Sequence, residues 1–172
     1  MAVRAGGEGD VTKTHVVWRG TDRSRIATPI YDEGRLYWIN SHIANCTDAA
    51  TGKQVYQSPR LGNPTAAAGP VPGKGPEQSK GPERGKGPKT GGGYGKRGGG
   101  RGTPEYSSPV LADGKIYWFA RSGEAFVYAV GPEFKLLGQN SLAADGGDFS
   151  STPAVSDGAL FIRSSKYLYC IQ

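Results

Sequence analysis

At 172 residues the chain is long enough for one domain with a core of its own. No apolar stretch approaches the roughly 20 residues that cross a bilayer as a helix, and Met1 to Gly7 holds no apolar run of signal-peptide length. The formal charge of +6 is confined to one tract: between Asn63 and Pro104 eight Lys/Arg face two Glu, whereas elsewhere 13 basic and 13 acidic side chains balance, so the rest of the chain has no net attraction for phosphate.

In chain order, Thr14 to Arg19, with Val16-Val17-Trp18 at its centre, reads as the outer strand of a preceding sheet. A repeated unit follows. Thr28-Pro29-Ile30-Tyr31-Asp32-Glu33-Gly34-Arg35-Leu36-Tyr37-Trp38 returns as Ser108-Pro109 to Tyr117-Trp118 and again as Thr152-Pro153 to Phe161-Ile162, each time with Gly five residues after Pro. Such a unit cannot bury its own apolar face, so it stacks on its neighbours. Pro109 and Pro153 are 44 residues apart, close to the roughly 40 to 45 residues of a four-stranded propeller blade. Pro29 and Pro109 are 80 apart, and the surplus falls in the Gly, Pro and Lys tract.

Each unit predicts antiparallel strands. The first surrounds the Ser/Thr and Pro; Asp113-Gly114 and Asp157-Gly158, varied as Asp32-Glu33-Gly34, then turn the chain because Gly accepts positive φ. Lys115 to Phe119 forms the second strand, Ala125 to Val130 the third and Glu133 to Leu137 the fourth. In the first unit Asp48 to Lys53 turns into Gln54-Val55-Tyr56, and the last unit stops at Tyr167 to Ile171 with no outer strand. No amphipathic helix is predicted. The fold class is therefore all-β, a partial β-propeller of about three four-stranded antiparallel blades. It divides into 1–62 (outer strand and first blade), 63–104 (basic insert) and 105–172 (second blade and incomplete third). Either the chain is a piece of a longer propeller, or another chain covers its open sides, since an uncovered strand edge templates pairing.

The insert repeats Gly-Pro every six residues from Gly69-Pro70 to Gly87-Pro88, which predicts an extended, disordered spacer without a core. Its end, Gly91 to Gly102, contains Tyr94, Arg97 and Arg101, the residue types that hold single-stranded RNA by charge and stacking. A solvated spacer is the favoured reading, because one Arg-Gly-Gly triplet and one Tyr make a thin RNA site.

Other candidate chemistry is sparse. Cys46 and Cys170 each lie 17 residues after their Pro, the same slot on different blades, which predicts two buried free thiols too far apart to bridge, with Ala129 as the middle counterpart. His42 and Cys46 make only half a metal site, and His42 reads as a solvated turn residue. His15 has no identifiable catalytic partner. Asp145-Gly146-Gly147-Asp148 lacks the spaced oxygens of a calcium loop and reads as a link between blades. Trp18, Trp38 and Trp118 read as blade-packing aromatics.

The sequence of Ser/Thr and Pro, Asp-Gly, aromatic strand, then Asp48-Ala49-Ala50-Thr51-Gly52-Lys53 before an outer strand, resembles the PQQ-like β-propeller repeat of quinoprotein alcohol dehydrogenases and of the outer-membrane assembly propeller. The resemblance covers Thr14 to Pro59 and Tyr106 to Ile171. It implies blades, and for assembly-type members a partner protein; for dehydrogenases it implies a PQQ seat, calcium ligands, a carboxylate base and adjacent cysteines, none of which matches a motif here. It also implies export for many members. The residues accordingly point to a non-enzymatic propeller segment that binds protein, with a remnant of a PQQ-dependent dehydrogenase and an RNA tether as alternatives.

Overall fold

A computed structural model describes residues 1–21, Ser24, 26–62 and 105–172. The basic insert, with Tyr94, Arg97 and Arg101, lies outside the described residues. Within them the chain forms strands β1 (Ala2–Val3), β2 (Val16–Trp18), β3 (Ile30–Asp32), β4 (Arg35–Asn40), β5 (Ile43–Asp48), β6 (Gln54–Gln57), β7 (Val110–Ala112), β8 (Lys115–Phe119), β9 (Glu124–Ala129), β10 (Leu136–Ser141), β11 (Ala154–Ser156), β12 (Ala159–Arg163) and β13 (Leu168–Ile171). Two four-stranded antiparallel sheets run β3-β4-β5-β6 and β7-β8-β9-β10 in sequence order. They are followed by a three-stranded sheet β11-β12-β13, and β1 pairs with β2. No helix among the described residues is long and apolar enough to cross a membrane.

The predicted turns form for the predicted reason. Glu33-Gly34, Asp113-Gly114 and Asp157-Gly158 all have positive φ (41° and 79°, 49° and 66°, 49° and 76°). Two successive positive φ values are what a two-residue hairpin turn of the right twist requires. A Cβ at Gly34, Gly114 or Gly158 would meet nothing within 4 Å, so backbone conformation rather than space selects Gly there.

Alternation along the strands then sorts side chains between blade faces. Ile30, Tyr37, Cys46 and Tyr56 lie opposite one another across β3 to β6 and face the second blade. They pack with Ile116, Trp118, Phe126 and Tyr128 in one core. The other face of the second blade contributes Phe119 and Ala125 to a smaller core with Phe149 and Ile162 of the third unit. Burying a side chain of this size contributes about 1.5 to 3 kcal/mol, so stacking of blades is the main source of stability.

The Ser/Thr before each Pro has a role that periodicity does not reveal. The Thr28 N–H donates to Ser108 Oγ at 2.8 Å, and the Ser108 N–H donates to Thr152 Oγ1 at 3.0 Å. Each hydroxyl thus accepts the main-chain donor of the blade before it. A Pro next in line fixes φ and holds the pair in register.

Several expectations need correction. The fourth strand of the second blade is Leu136–Ser141, not Glu133 to Leu137: Gly131 (φ 145°) and Pro132 open a wide turn that lets Phe134 reach Tyr56 and Tyr128, at 5.9 and 5.6 Å between ring centroids. The third strand starts one residue earlier than predicted, at Glu124. β2 pairs with Ala2–Val3, a strand too short to be signalled by any pattern. Ala129 is not the counterpart of Cys46, because the β8–β9 turn is one residue longer and brings Val127 opposite Tyr117. Finally, Cys46 is buried but Cys170 is exposed. The second blade covers Cys46, whereas no described sheet covers the matching face of the third.

Candidate functional site

One end of the molecule gathers the turns that follow each aromatic strand. Ser41, Arg121 and Ser165 all fall twelve residues after their Pro. The first turn is strained: Ser41 and His42 have φ of 52° and 65°, a conformation that costs a non-Gly residue roughly 1 to 2 kcal/mol. Its surroundings hold it. The Leu61 N–H donates to His42 O at 2.7 Å, Arg60 Nη1 donates to Ser41 O at 2.7 Å, and the imidazole sits edge-on to Trp118 at 5.3 Å.

His42 Nε2 is 2.8 Å from Glu105 Oε1, with side-chain exposures of 17% and 10%, so the histidine is not the solvated turn residue its position suggested. The second oxygen of Glu105 accepts the Arg121 N–H at 2.7 Å. Glu105 therefore ties the first blade to the second through both carboxylate oxygens. The relay continues outward. The Arg121 guanidinium lies over Tyr106 at 5.3 Å and pairs with Asp148, which is also bonded by the Ser150 hydroxyl. The Asp148 N–H donates to Ser165 Oγ at 3.0 Å, and its carbonyl accepts the Ser165 N–H at 2.9 Å. The Ser150 hydroxyl, followed by Arg121, holds the Asp148 carboxyl below the usual range, and the same ion pair raises Arg121.

The relay is a bracket across three blades; of its residues the sequence singled out only His42, as a solvated turn residue, and Asp148, as part of a link between blades. Only the shared offset from Pro marks these turns as equivalent, and nothing in that offset says which polar partner each will meet.

The remaining candidates disperse. Burial pushes the Cys46 thiol up to about 11, and Cys46 faces the interblade core while His42 turns toward Glu105. His15 Nδ1 lies 2.7 Å from Thr14 Oγ1. Asp148 is engaged by Arg121, whereas Asp145 stands in a single 3-10 turn that joins β10 to β11, as the link reading expects. Among the described residues no three His, Cys, Asp or Glu stand close enough to hold a metal ion.

Among the described residues, the side chains that a quinone seat would use do not come together. The two cysteines lie on different sheets, on β5 and β13. Trp118 is stacked on Phe126 at 5.5 Å with its indole N–H 3.3 Å from Ser107 O, inside the interblade core.

A second feature lies on the third sheet. Ala154, Phe161 and Cys170 lie opposite one another across β11 to β13, in the same positions as Ile30, Tyr37 and Cys46 of the first blade. Here no described sheet covers the row: Ala154 and Cys170 are exposed, Phe161 is half-buried, and Leu168 on the same face is 71% exposed. The outer edge of β13, where β6 pairs in the first blade, is likewise free among the described residues.

No family model matches the chain, and no curated protein matches it. The solved structure of BamB from Moraxella catarrhalis superposes with a TM-score of 0.50 at 13% identity, over 84% of this chain and 32% of that one. The fold is that of a β-propeller. The chain spans about a third of the length of the BamB chain that it matches.

Proposed function

We propose that the chain is a non-catalytic propeller segment that acts as a protein-binding scaffold, with the open side of the third sheet as its contact surface. The observation that carries this reading is the row Ala154, Phe161 and Cys170. In the first blade Tyr37 and Cys46 are buried with Ile30 packed against them, yet here Ala154 and Cys170 are exposed, Phe161 is half-buried, and Leu168 on the same face is exposed. A contiguous apolar surface of this kind marks an interaction site, and a free strand edge can add a strand from a partner. The likeness to a BamB propeller and the resemblance to assembly-type propellers agree with a binding role.

The test is dye binding by the purified chain. At high dilution, where no partner covers the surface, the chain is expected to bind a hydrophobic-surface dye such as ANS, and Phe161→Lys combined with Leu168→Lys to reduce that binding several-fold while leaving far-ultraviolet dichroism unchanged. A well-dispersed monomer that melts cooperatively and binds no dye would refute the reading.

A further inference from the structure

We propose that the partner at this surface is a second copy of the chain, docked head to tail so that β2 of each copy becomes the fourth strand of the other copy's third sheet. This deepens the scaffold reading by naming its occupant, and two independent correspondences support it.

The first is the place of β2. Trp18 lies 11 residues before Pro29. Tyr56 of the outer strand β6 lies 53 before Pro109, of which 42 belong to the insert at 63–104, leaving the same 11. Tertiary structure agrees with the count. Tyr56 packs on Phe134, in the turn between the third and fourth strands of the following blade, at 5.9 Å. The Trp18 indole donates to Ala49 O at 2.9 Å, in the corresponding turn of the first blade, and lies so close that a Cβ on Gly52 would sit 2.5 Å from its ring. β2 thus occupies the position of a fourth strand for a sheet standing before the first blade. One of its edges is taken by β1; no described strand pairs with the other. Among the described residues the sheet with three strands is β11-β12-β13.

The second is the ladder of Ser/Thr hydroxyls. It runs from Thr28 N–H to Ser108 and from Ser108 N–H to Thr152. At its ends the Thr152 N–H and the Thr28 hydroxyl form no bond among the described residues, and both residues are exposed. They are a donor and an acceptor of the same rung. With a second copy in place, Thr152 N–H of one chain meets Thr28 of the other, and the blade-on-blade contact seen twice within the chain is repeated between chains. The described residues of each copy bring three blades' worth of strands, so two copies together bring about six, a number within the four to eight blades of known propellers. Both contacts are heterologous, and two of them close under a two-fold axis.

The register names the residues that meet. Cys46 pairs with Tyr56, so Cys170, its equivalent, pairs with Trp18 of the other copy. Sedimentation equilibrium of the native chain is expected to give twice the 18.1 kDa chain mass, and the rate of Cys170 modification by a thiol reagent to fall at least ten-fold as the dimer forms. Oxidation of the Trp18→Cys variant is expected to yield a disulfide-linked dimer that disappears when Cys170→Ser is added. A native chain that stays monomeric overturns the inference, as does a dimer whose Cys170 reacts at the monomer rate. Dye binding by that monomer, lost in the Phe161→Lys and Leu168→Lys variant, separates this failure from failure of the scaffold reading.

Discussion

Replacing Glu105 by Ala removes the bracket between the first and second blades, and its cost can be worked from the geometry. Two bonds are lost, to His42 Nε2 at 2.8 Å and from the Arg121 N–H at 2.7 Å. A hydrogen bond to a charged group contributes about 1.5 to 3 kcal/mol net. The Glu105 side chain is only 10% exposed, so solvent screens these bonds little. Removing the carboxylate also relieves its own desolvation, which places the expected loss near the lower end of the sum, about 3 kcal/mol. The strained turn at Ser41-His42 then retains the Leu61 N–H, the Arg60 guanidinium and the edge contact with Trp118. Urea unfolding followed by tryptophan fluorescence should show the midpoint falling with an unchanged m value, because the surface exposed on unfolding is the same. Glu133→Ala, on an exposed turn, serves as the control and should stay within about 0.5 kcal/mol. Glu105→Gln keeps an acceptor for Arg121 and should lie between the two. If Glu105→Ala cannot be distinguished from Glu133→Ala, the bracket does not join the blades.

Other outcomes follow from single positions. Gly52→Ala should strip β2 from the first blade, since its φ is +71° and its Cβ would meet the Trp18 ring at 2.5 Å; a red shift of tryptophan emission and a loss of about 1 to 3 kcal/mol are expected, and unchanged emission would contradict the contact. In a Cys170→Ser background, Cys46 should resist a thiol reagent at pH 8 until denaturant is added. Its thiol is raised by burial to about 11 while the unfolded thiol ionises near the ordinary value of 9.0, so this group favours the folded state below pH 9 and that contribution fades as pH rises from there toward 11. Urea titrations across that range check the direction. Replacing residues 63–104 with a six-residue Gly/Ser linker should stabilise the fold by about 1 to 2 kcal/mol, because closing a shorter loop costs less entropy, and both stems already meet at His42 through Leu61 and Glu105. The same deletion should abolish any salt-sensitive RNA binding; binding that survives it would exclude Tyr94, Arg97 and Arg101 as the site.

Strand order, hairpin turns and blade count were legible in the chain because they depend on local chemistry: Asp113-Gly114 adopts its turn from its own backbone preferences, and Lys115 to Phe119 is a strand by composition. The reach of Phe134 across to Tyr56 was not legible, since a wide turn at Gly131-Pro132 is selected by the pocket it fills. The end bracket was hidden for a similar reason. Glu105 and His42 are 63 residues apart, and no spacing rule links side chains that meet only when two sheets stack.

The two cysteines separate the two kinds of information most clearly. Sequence by itself determined that Cys46 and Cys170 occupy one position of a repeated strand, because a period-two pattern dictates which face a residue takes. Only tertiary structure decided that one is buried and the other exposed, because burial depends on whether another sheet stands against that face. The chain writes the blade; the stacking of blades decides which of its surfaces are core and which remain available to a partner.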